Sequence, residues 1–568
     1  MYQTIKTWLT EKSTIQMDQK DGIIIGIVLL LYGLISFWNL GVMKNPETFV
    51  YREDSDQTLL YRINGQDRKP ITLRYFVGPK PGEYMILGST DQQDYHMIGK
   101  TDRDAYVFGW YDVTLDQLEG IQYLKLVPTG TEASLGEIHL QNTNLLLEAM
   151  NETSQRLLDE SDTVPSKISY LNSTYFDEVY FARTAYEYAN GMTAYEWVHP
   201  PLGKLIQSLP IRFLGMNPFS YRLMGNLSGI LLILVMYAFG KALFQKRGYA
   251  LIAALFMALD GFHFAQTRMG TIDTHLVLFI LTAYYFMYRY LLLNQDDALK
   301  KKLLFLFLSG ITIGCAIATK WTGLFAGLGL AILFFGHLWL IYGKKKKITK
   351  YDKMMIGTIL VSCVFFFVMI PIMIYVTSYF LFPNVSIFKV HNWQGLVEVT
   401  NQIYAYHSTL DATHPFSSEW YTWPLMLKPV WYYASETVNG VRSTISGIGN
   451  PIIWWMGLLA VIYGIYRMIK KDQVAVILVV AFACLFLPYL KIGRCMFLYH
   501  YFPVLPFIML LLVYLLKQTT EKTKLSWLGP VFVGIIFIIS LYFFPIVSGM
   551  PMKEDRIDHR QWLPEWYF

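Results

Sequence analysis

The sequence predicts a polytopic α-helical membrane protein with a β-sandwich inserted after its first spanning helix. Of 568 residues, 54% are hydrophobic and only 16% are charged, which is more apolar material than a soluble core uses. Most of it lies in runs of about 18 to 25 residues, the length that spans about 30 Å of hydrocarbon. One long segment after the first run instead alternates apolar and polar residues, as strands do.

Eleven runs are predicted as spanning helices, near 22–42, 219–244, 249–266, 271–293, 303–319, 322–342, 354–377, 450–468, 474–490, 495–516 and 526–546. About twenty polar residues precede the first run and no small-residue cleavage site follows it, so it is predicted to be a retained anchor. Residues 1–44 then form a cytoplasmic N-terminus with helix one. Residues 219–377 hold helices two to seven, and 450–568 hold helices eight to eleven and an outer tail.

The basic residues of the short loops predict the orientation, because basic loops stay cytoplasmic. With the N-terminus inside, the cytoplasmic loops contain Lys241, Lys246 and Arg247, then Lys300–Lys302, Lys344–Lys347, Arg467, Lys470 and Lys471, and finally Lys517, Lys522 and Lys524. The chain is therefore predicted to be a multi-pass protein of the cell membrane. Its net charge of +6 follows from this topology, and no nucleic-acid partner is predicted. The four cysteines lie in or beside apolar runs, which excludes a disulfide framework and a CxxC metal site.

Two long outer segments break the helical pattern. Residues 45–150 contain TFVYRE, PITLRYFVG and YVFGWYDVTL between Gly, Pro, Asn and Asp, and are predicted to form a β-sandwich. The ending YLKLVPTGTEASLGEIHL resembles the last strands of discoidin or galactose-binding jelly rolls. Both sugar binding and a structural cap stay open for this module. Residues 151–218 are predicted as helices in the outer membrane interface, and 378–449 as a second outer loop.

Two motifs of the first outer segment carry candidate chemistry. Asp177 and Glu178 are adjacent carboxylates among aromatic residues, where burial can tune a carboxylate into a general base. The alternative is a solvated helix end. In HPPLGK, from His199 to Lys204, the two prolines predict a helix start, and Lys204 is suited to a lipid phosphate. The alternative for Lys204 is a lysine that snorkels to the interface.

A third motif, LDGFHFAQTRMGTIDTHLVLF, spans residues 259–279 at the junction of two predicted spans. It places six polar side chains in or beside apolar sequence: Asp260, His263, Gln266, Arg268, Asp273 and His275. A charge at mid-bilayer costs about 2.5 to 3.5 kcal/mol, so this density predicts a polar cavity. Arg268 suits a phosphate because its guanidinium can bind in a bidentate way. A metal site from His263, Asp273 and His275 is conceivable, but hydrogen-bonded structural histidines are favoured and no metal is predicted.

Further candidates lie between spans and in the second outer loop. Lys320 in ATKWTGLF and Arg494 in KIGRCMFLYHYFP either add positive charge around a phosphate or anchor the chain at the membrane edge. In the loop, Trp420, Trp423 and Trp431 are suited to stack on sugar or peptide, with His414 and Glu419 as hydrogen-bonding groups. An aromatic belt at the interface would have the same composition.

Together these motifs resemble the protein O-mannosyltransferase family. The matching pieces are FDEVYF, HPPLGK, LDGFHFAQTRMGTIDTH, ATKWTGLF, WYTWPLMLKPVWYY and RCMFLYHYFPVLPF, in the family's order and at its topological positions. The resemblance covers most of the chain apart from the β-module. It implies a GT-C fold of glycosyltransferase family 39 and polyprenyl-phosphate mannose as donor. It also implies Ser or Thr of secreted or translocating proteins as acceptor, an extracytoplasmic active site and a place near the Sec translocon.

The resemblance also implies roles for single residues. Asp177 corresponds to the catalytic carboxylate, with Glu178 organising the acceptor site. Arg268 corresponds to the donor-phosphate ligand, with Lys204, Lys320 and Arg494 as helpers. Donor or acceptor contacts are expected from His199, Gln266, Asp273, His275, Glu419, Trp420 and Trp423. The family needs no metal or nucleotide, and the lipid-linked sugar is a substrate rather than a cofactor.

Two departures from the family leave alternatives open. Eukaryotic members carry a β-trefoil in the later outer loop, whereas here that loop is short and a different β-module follows the first span. The junction QTRMGTIDTH is shared with bacterial relatives of uncertain acceptor. The alternatives are a transferase that modifies a cell-wall polymer or glycolipid, a lipid-linked sugar transporter, and a non-catalytic assembly factor whose β-module binds a partner. No internal repeat of the kind transporters show is found.

Overall fold

The computed structural model describes residues 17–53, 59–65, 71–115, 120–141, 143–343, 345, 347–380 and 390–568. The polar N-terminal stretch 1–16 and residues 381–389 of the predicted second outer loop lie outside this range. So do Lys344 and Lys346 of the predicted basic loops.

The α-helices are, in chain order, α1 (Gln19–Phe37), α2 (Glu152–Gln155), α3 (Glu178–Ala189), α4 (Leu202–Leu214), α5 (Pro218–Phe244), α6 (Arg247–Ala258), α7 (Gly261–Thr267), α8 (Asp273–Leu291), α9 (Leu299–Thr319), α10 (Thr322–Tyr342), α11 (Lys350–Val364), α12 (Ile370–Phe380), α13 (Trp393–Thr409), α14 (Pro451–Ile469), α15 (Gln473–Phe486), α16 (Leu505–Thr523), α17 (Leu528–Ser548) and α18 (Glu554–Asp558). A π-helical turn, Phe365–Met369, joins α11 to α12. Short 3-10 helices cover Ser161–Thr163, Trp420–Leu425, Leu487–Lys491 and Leu498–Val504.

The strands are β1 (Val50–Tyr51), β2 (Leu59–Asn64), β3 (Ile71–Val77), β4 (Tyr84–Ser89), β5 (His96–Lys100), β6 (Gly109–Leu115), β7 (Tyr123–Pro128), β8 (Ser134–Gln141), β9 (Leu146–Ala149), β10 (Val430–Ala434), β11 (Val441–Arg442), β12 (Thr444–Gly447) and β13 (Met552–Lys553). Two short antiparallel pairs, β10 with β12 and β11 with β13, lie in the later part of the chain.

The predicted fold class, a polytopic helical membrane protein with a sheet-rich insertion, is confirmed. Among the described residues, nine helical segments are long and apolar enough to cross a membrane. The pair α6 and α7, bent by 59°, adds a tenth if it is one span. The prediction of eleven spans also included α8. That helix is present, but its four tyrosines and its charged ends at Asp273 and Arg289 make it less apolar than the others.

Asp260 causes the bend between α6 and α7. It is the N-cap residue of α7, and its carboxylate accepts a hydrogen bond from the His263 amide at 3.0 Å. The other carboxylate oxygen accepts from the Asn450 amide and from Trp454 Nε1, both at 2.9 Å. These donors satisfy a carboxylate that is 1% exposed. The capping geometry starts a new helix here, so the apolar run 249–266 does not continue straight.

The chain folds as two compact units. We call the first the helical unit; it contains the described residues up to Trp38, 191–206 and 224–568. We call the second the sheet unit; it contains 39–190 and 207–223. Each unit is described by itself below.

The sheet unit contains a β-sandwich of two antiparallel sheets. One has the strand order β1-β8-β3-β6 and the other β5-β4-β7-β2-β9. Inward residues of both sheets form one apolar core, for example Leu73 and Tyr75 from β3 with Leu59 and Tyr61 from β2. The alternation that predicted strands is visible in β2, where Leu59, Tyr61 and Ile63 are buried and the residues between them are more exposed.

A second apolar core of the sheet unit joins the sandwich to helices. Its members are Phe49, Phe76, Val107, Phe108, Trp110, Ala182, Ala185, Ile211, Met216 and Tyr221. The first five belong to the sandwich, and the two alanines lie on α3. The sandwich is therefore packed against the helix that follows Asp177.

Candidate active site

Asp177 lies at the start of α3 in the sheet unit. It occupies the N-cap position but has helical backbone angles, φ −69° and ψ −6°, and its carboxylate makes no capping hydrogen bond. An N-cap side chain reaches the helix amides from an extended backbone, which Asp177 does not have. The backbone carbonyl of Asp177 instead accepts from the amides of Tyr180 and Phe181. The carboxylate is half-buried and does not cap α3.

The residue before Asp177 has a strained backbone. Phe176 has a φ of 49°, in the left-handed region that bulky residues rarely adopt. Such a conformation costs about 1–3 kcal/mol and persists where the surroundings enforce it, commonly at functional sites. This strain sets the direction of the chain at Asp177 and supports a functional role for it.

Glu178 is fully buried and pairs with Arg222 of α5. Arg222 Nε donates to Glu178 Oε1 and Nη2 donates to Oε2, both at 2.7 Å. The same guanidinium donates to the backbone carbonyls of Leu40 at 2.9 Å and of Tyr170 at 2.7 Å. Glu178 was predicted to act beside Asp177 in catalysis. The structure places it in a bidentate ion pair at the start of α3, and its predicted role beside Asp177 stays a prediction.

The sequence interpretation missed Arg222, which is 1% exposed. A signal was present, because an arginine near the start of an apolar run needs a partner or a polar cavity. The Glu178 partner lies 44 residues earlier in the chain, and no spacing rule connects the two.

Lys204 of α4 lies in the helical unit and is fully buried. Its ammonium pairs with the Glu196 carboxylate and donates to the backbone carbonyls of Glu196 at 2.6 Å and His199 at 2.9 Å. An ammonium has three donors, and these contacts account for them. The predicted phosphate role of Lys204 stays a prediction, and the contacts favour a structural one. The helix start that Pro200 and Pro201 predicted is confirmed, since α4 begins at Leu202.

Glu196, which the sequence interpretation also missed, links Lys204 to His199. His199 Nδ1 lies 2.8 Å from Glu196 Oε1. Burial acts to raise the pKa of Glu196, but Lys204 and His199 outweigh it and hold that pKa at about 2. Burial lowers the pKa of His199 despite the neighbouring carboxylate. His199 is therefore neutral near pH 7.

Arg268 contacts backbone carbonyls at the end of α1. Its Nε donates to the Ser36 carbonyl at 3.0 Å and its Nη2 to the Trp38 carbonyl at 2.8 Å. Its guanidinium also lies 4.7 Å from the ring centroid of Phe264. Basic side chains commonly satisfy the last carbonyls of a helix in this way. The predicted donor-phosphate role of Arg268 stays a prediction, but these groups already occupy two of its donors.

The other polar residues of the 259–279 motif are buried in hydrogen-bonding pairs. His263 lies 3.2 Å from both the Tyr32 hydroxyl and the Gly229 carbonyl. His275 Nδ1 lies 2.8 Å from Ser228 Oγ. Gln266 Oε1 accepts from the Tyr432 hydroxyl at 2.6 Å. In the described part of the chain, His263, Asp273 and His275 do not form a metal-ligating group. The motif thus joins spans, as the structural alternative stated.

Lys320 and Asp273 form a buried ion pair, with Nζ 2.8 Å from Oδ1. Lys320 lies between α9 and α10, and Asp273 begins α8. The Lys320 ammonium also lies 5.7 Å from the ring centroid of Tyr499. Asp273, which was expected to contact the sugar donor or the acceptor, therefore compensates the charge of Lys320, which was expected to bind the donor phosphate.

His199, Lys320, His407 and Arg494 form what we call the cationic cluster of the helical unit. The rings of His199 and His407 lie 5.4 Å apart. Burial, together with the nearby positive charges of Arg494 and Lys320, lowers the pKa of His407 to about 3. Both histidines are neutral near pH 7, so Lys320 and Arg494 supply the charge. Across the described residues, the half-buried Arg494 guanidinium has no hydrogen-bond or ion-pair partner.

The helical unit also contains an apolar cavity of about 420 Å³. It is lined by Ile317, Leu324, Phe367, Val368, Pro371, Ile372, Tyr375, Val376, Trp393, Leu396, Val397, Thr400 and Asn401. On α13, Thr400 and Asn401 precede His407 by about two turns. Lys320 lies just before α10, and Leu324 lies in the first turn of that helix. The α13 helix contributes Thr400 and Asn401 to the cavity and His407 to the cationic cluster.

The candidate residues of the second outer loop differ in how deeply they are buried. Trp423 is fully buried, donates from Nε1 to Ser418 Oγ at 3.0 Å and stacks on the His500 ring. It is part of the core, contrary to the expectation of a sugar-stacking surface. Trp420 is half-buried against Phe486, and Glu419 is exposed. Their predicted contacts with donor or acceptor stay predictions.

Comparisons with known proteins match most of the helical part of the chain. A model of dolichyl-phosphate-mannose-protein mannosyltransferase matches residues 211–393. A model of the C-terminal four-transmembrane region of protein O-mannosyltransferase matches residues 392–566. Together the two matches run without a gap from 211 to 566 and leave out the sandwich.

Single relatives agree with the family models. The chain is similar to the polyprenol-phosphate-mannose–protein mannosyltransferase of Mycolicibacterium smegmatis, with 24% identity over 432 residues that cover 65% of this chain and 82% of that protein. The protein of the same description from Mycobacterium tuberculosis is 22% identical over 458 residues, covering 69% and 86%. In fold, the chain matches the solved Saccharomyces cerevisiae protein O-mannosyltransferase Pmt1-Pmt2 complex bound to the sugar donor. That match has a TM-score of 0.61 and 15% identity, and it covers 70% of this chain and 89% of that one.

Proposed function

The chain belongs to the protein O-mannosyltransferase family, and from this premise we propose that it transfers mannose from a polyprenyl-phosphate carrier to Ser or Thr hydroxyls of proteins. It is a multi-pass membrane glycosyltransferase with the GT-C fold. The relatives it resembles are named for a polyprenol-phosphate-mannose donor and a protein acceptor.

The apolar cavity and the cationic cluster of the helical unit carry this proposal. A polyprenyl-phosphate sugar has an apolar chain and an anionic head, and it needs a place for each. The cavity accepts apolar chain, and Lys320 and Arg494 attract a phosphate. Leu324 of the cavity lies four residues after Lys320, so we expect a lipid held in the cavity to present its head near this charge.

In the proposed reaction, the acceptor hydroxyl attacks the anomeric carbon of mannose and inverts it. The new carbon–oxygen bond forms as the bond to the phosphate oxygen breaks, and polyprenyl phosphate leaves. Asp177 accepts the proton of the hydroxyl as a general base. Arg494 stabilises the charge that grows on the departing phosphate, with Lys320 beside it. Asp273 balances Lys320, which leaves Arg494 as the main phosphate donor group.

We propose further that the N-terminus is cytoplasmic and the chemistry extracytoplasmic. The basic loops predicted this orientation, and the ion pairs at the start of α1 support it. Asp21 contacts Lys241 Nζ at 3.0 Å and Arg247 Nε at 2.9 Å, so these residues share one membrane side. The acceptors would then be secreted or translocating proteins, met as they leave the Sec translocon.

The proposed acceptor class is tested by following labelled mannose. Purified chain in detergent is incubated with tritiated mannosyl polyprenyl phosphate, a Ser/Thr-rich peptide from a secreted protein, a lipid extract and isolated cell-wall polymer. We expect label in the peptide, released by mild alkali as an O-linked sugar is. Label recovered only in lipid or in cell-wall polymer would replace the protein acceptor with a glycolipid or polymer. No transfer to any of them would exclude the transferase.

We expect Arg494→Gln to lower kcat/KM for the donor by about 10²–10³-fold, the usual loss when one donor to a developing negative charge is removed. Initial rates at varied donor concentration measure this. The matched control is Lys491→Gln, which removes an exposed positive charge three residues earlier and should keep wild-type rates. A change of less than threefold in Arg494→Gln would remove Arg494 from the phosphate site.

A further inference from the structure

Three carboxylates of the sheet unit converge, and the proposed reaction uses none of them. Glu137 lies on β8, and Asp159 and Glu160 follow β9 and α2. One oxygen from each lies within 4.8 Å of the others. Glu137 is fully buried, Glu160 is half-buried and Asp159 is exposed, so the group opens to solvent on one side.

Glu137 has a buried oxygen without a partner. Its Oε2 accepts a hydrogen bond from the Glu160 amide at 3.0 Å, but its Oε1 is buried and has no hydrogen bond among the described residues. A buried carboxylate with no donor or cation is costly. A carboxylate with an unsatisfied buried oxygen therefore lies within 4.8 Å of two further carboxylates.

The surrounding backbone holds the three carboxylates in place. The Ile138 amide donates to the Leu157 carbonyl at 2.9 Å, which fixes the Asp159 segment against β8. The Glu160 carboxylate accepts from the amides of Glu47 at 3.1 Å and Thr48 at 3.0 Å. Three separate segments thus meet at the cluster, and Glu137 Oε1 and Glu160 Oε1 retain lone pairs for a further ligand.

We propose that Glu137, Asp159 and Glu160 bind one Ca²⁺ ion, which ties β8, the segment after α2 and the segment before β1 together. All donors are carboxylate oxygens, the hard ligands that Ca²⁺ prefers, and Ca²⁺ takes six to eight oxygens in a flexible geometry. The exposed side at Asp159 leaves room for water to complete the shell. Mg²⁺ is disfavoured, because it needs a near-ideal octahedron of short bonds.

Calcium binding to the full-length chain in detergent tests the proposal. After treatment with EDTA, equilibrium dialysis against ⁴⁵Ca²⁺ should give one bound ion per chain, with a dissociation constant of about 10⁻⁴–10⁻³ M if the site resembles extracellular modules. Hydrogen exchange should slow in peptides that cover 134–141 and 157–163, by about tenfold at a Ca²⁺ concentration ten times the dissociation constant. Mg²⁺ at the same concentration should not slow exchange.

Two variants and a control separate this site from general calcium effects. Glu137→Gln keeps the side-chain shape and should lose both the bound ion and the slowed exchange. Asp159→Asn changes an exposed residue, so it tests the calcium site even if the buried variant fails to fold. It should weaken calcium binding at least tenfold. Glu148→Gln removes a carboxylate of β9 outside the cluster and should bind like the wild type. Absence of a bound ion in the wild type, or wild-type binding by Asp159→Asn, would overturn the proposal.

Discussion

Replacing Asp177 by Asn is expected to lower the turnover number for mannose transfer by about 10²–10⁴-fold, the usual contribution of a general base. The amide has nearly the shape of the carboxylate but cannot take the hydroxyl proton. The Michaelis constant for the donor should stay within a few-fold, because the proposed role of Asp177 concerns the acceptor. Initial rates at varied donor concentration and saturating peptide measure both quantities.

A matched substitution and a fold measurement make the Asp177 result interpretable. Asp104→Asn changes an exposed aspartate of the same unit and should transfer at the wild-type rate. The unfolding midpoint of Asp177→Asn should equal that of the wild type, since the carboxylate does not cap α3. Asp177→Glu, which retains a carboxylate one methylene longer, should recover part of the turnover. Turnover within threefold of the wild type in Asp177→Asn would exclude a general base at this position and favour the non-catalytic alternative.

The second large effect is expected on stability. Arg222→Met should lower the free energy of unfolding by about 3–5 kcal/mol, because it leaves the Glu178 carboxylate buried without its counter-charge. The fall in unfolding midpoint in detergent and the yield of folded protein measure the loss. Arg212→Met, an exposed arginine of α4 in the same unit, should stay within about 0.5 kcal/mol of the wild type.

A double substitution separates the ion pair from simple packing. Glu178→Gln with Arg222→Met removes both charges and should be more stable than Arg222→Met alone, since no unpaired buried charge remains. If the double variant is as unstable as the single one, the loss comes from packing or from the backbone contacts of Arg222. A wild-type midpoint in Arg222→Met would show that the pair does not hold α3.

The sequence predicted the fold class because its two signals are local. Long apolar runs mark spans, and alternation with turn residues marks strands. Helix α13 was not predicted, although Leu396, Val399 and Ile403 recur at helical spacing and are buried. The polar residues between them favoured a loop. At Asp260 the sequence misled in the other direction. The apolar run 249–266 was predicted as one span, but it bends where the Asp260 carboxylate caps a new helix.

The candidate site was predictable by residue type but not by pairing. The sequence singled out Asp177, Glu178, Lys204 and Lys320 correctly as unusual charges near apolar sequence. It gave no partner for any of them. Glu178 pairs with Arg222, Lys204 with Glu196, and Lys320 with Asp273. A cation that is already ion-paired in the fold attracts a substrate phosphate less strongly. Lys204 and Lys320 are paired, so Arg494 is the predicted cation expected to contribute most.

The second core of the sheet unit limits how this chain can be cut or recombined. Ala182 and Ala185 of α3 are covered by aromatic residues of the sandwich such as Phe108 and Trp110. A chain joined directly from residue 44 to 151 would lose that cover, and the helix that begins beside Asp177 would present small residues to water. A recombinant that exchanges the sandwich must therefore carry α3 with it, or supply new bulky residues at the same contact. The sandwich therefore completes the apolar core around α3, and it is not a module that can be deleted without effect on that helix.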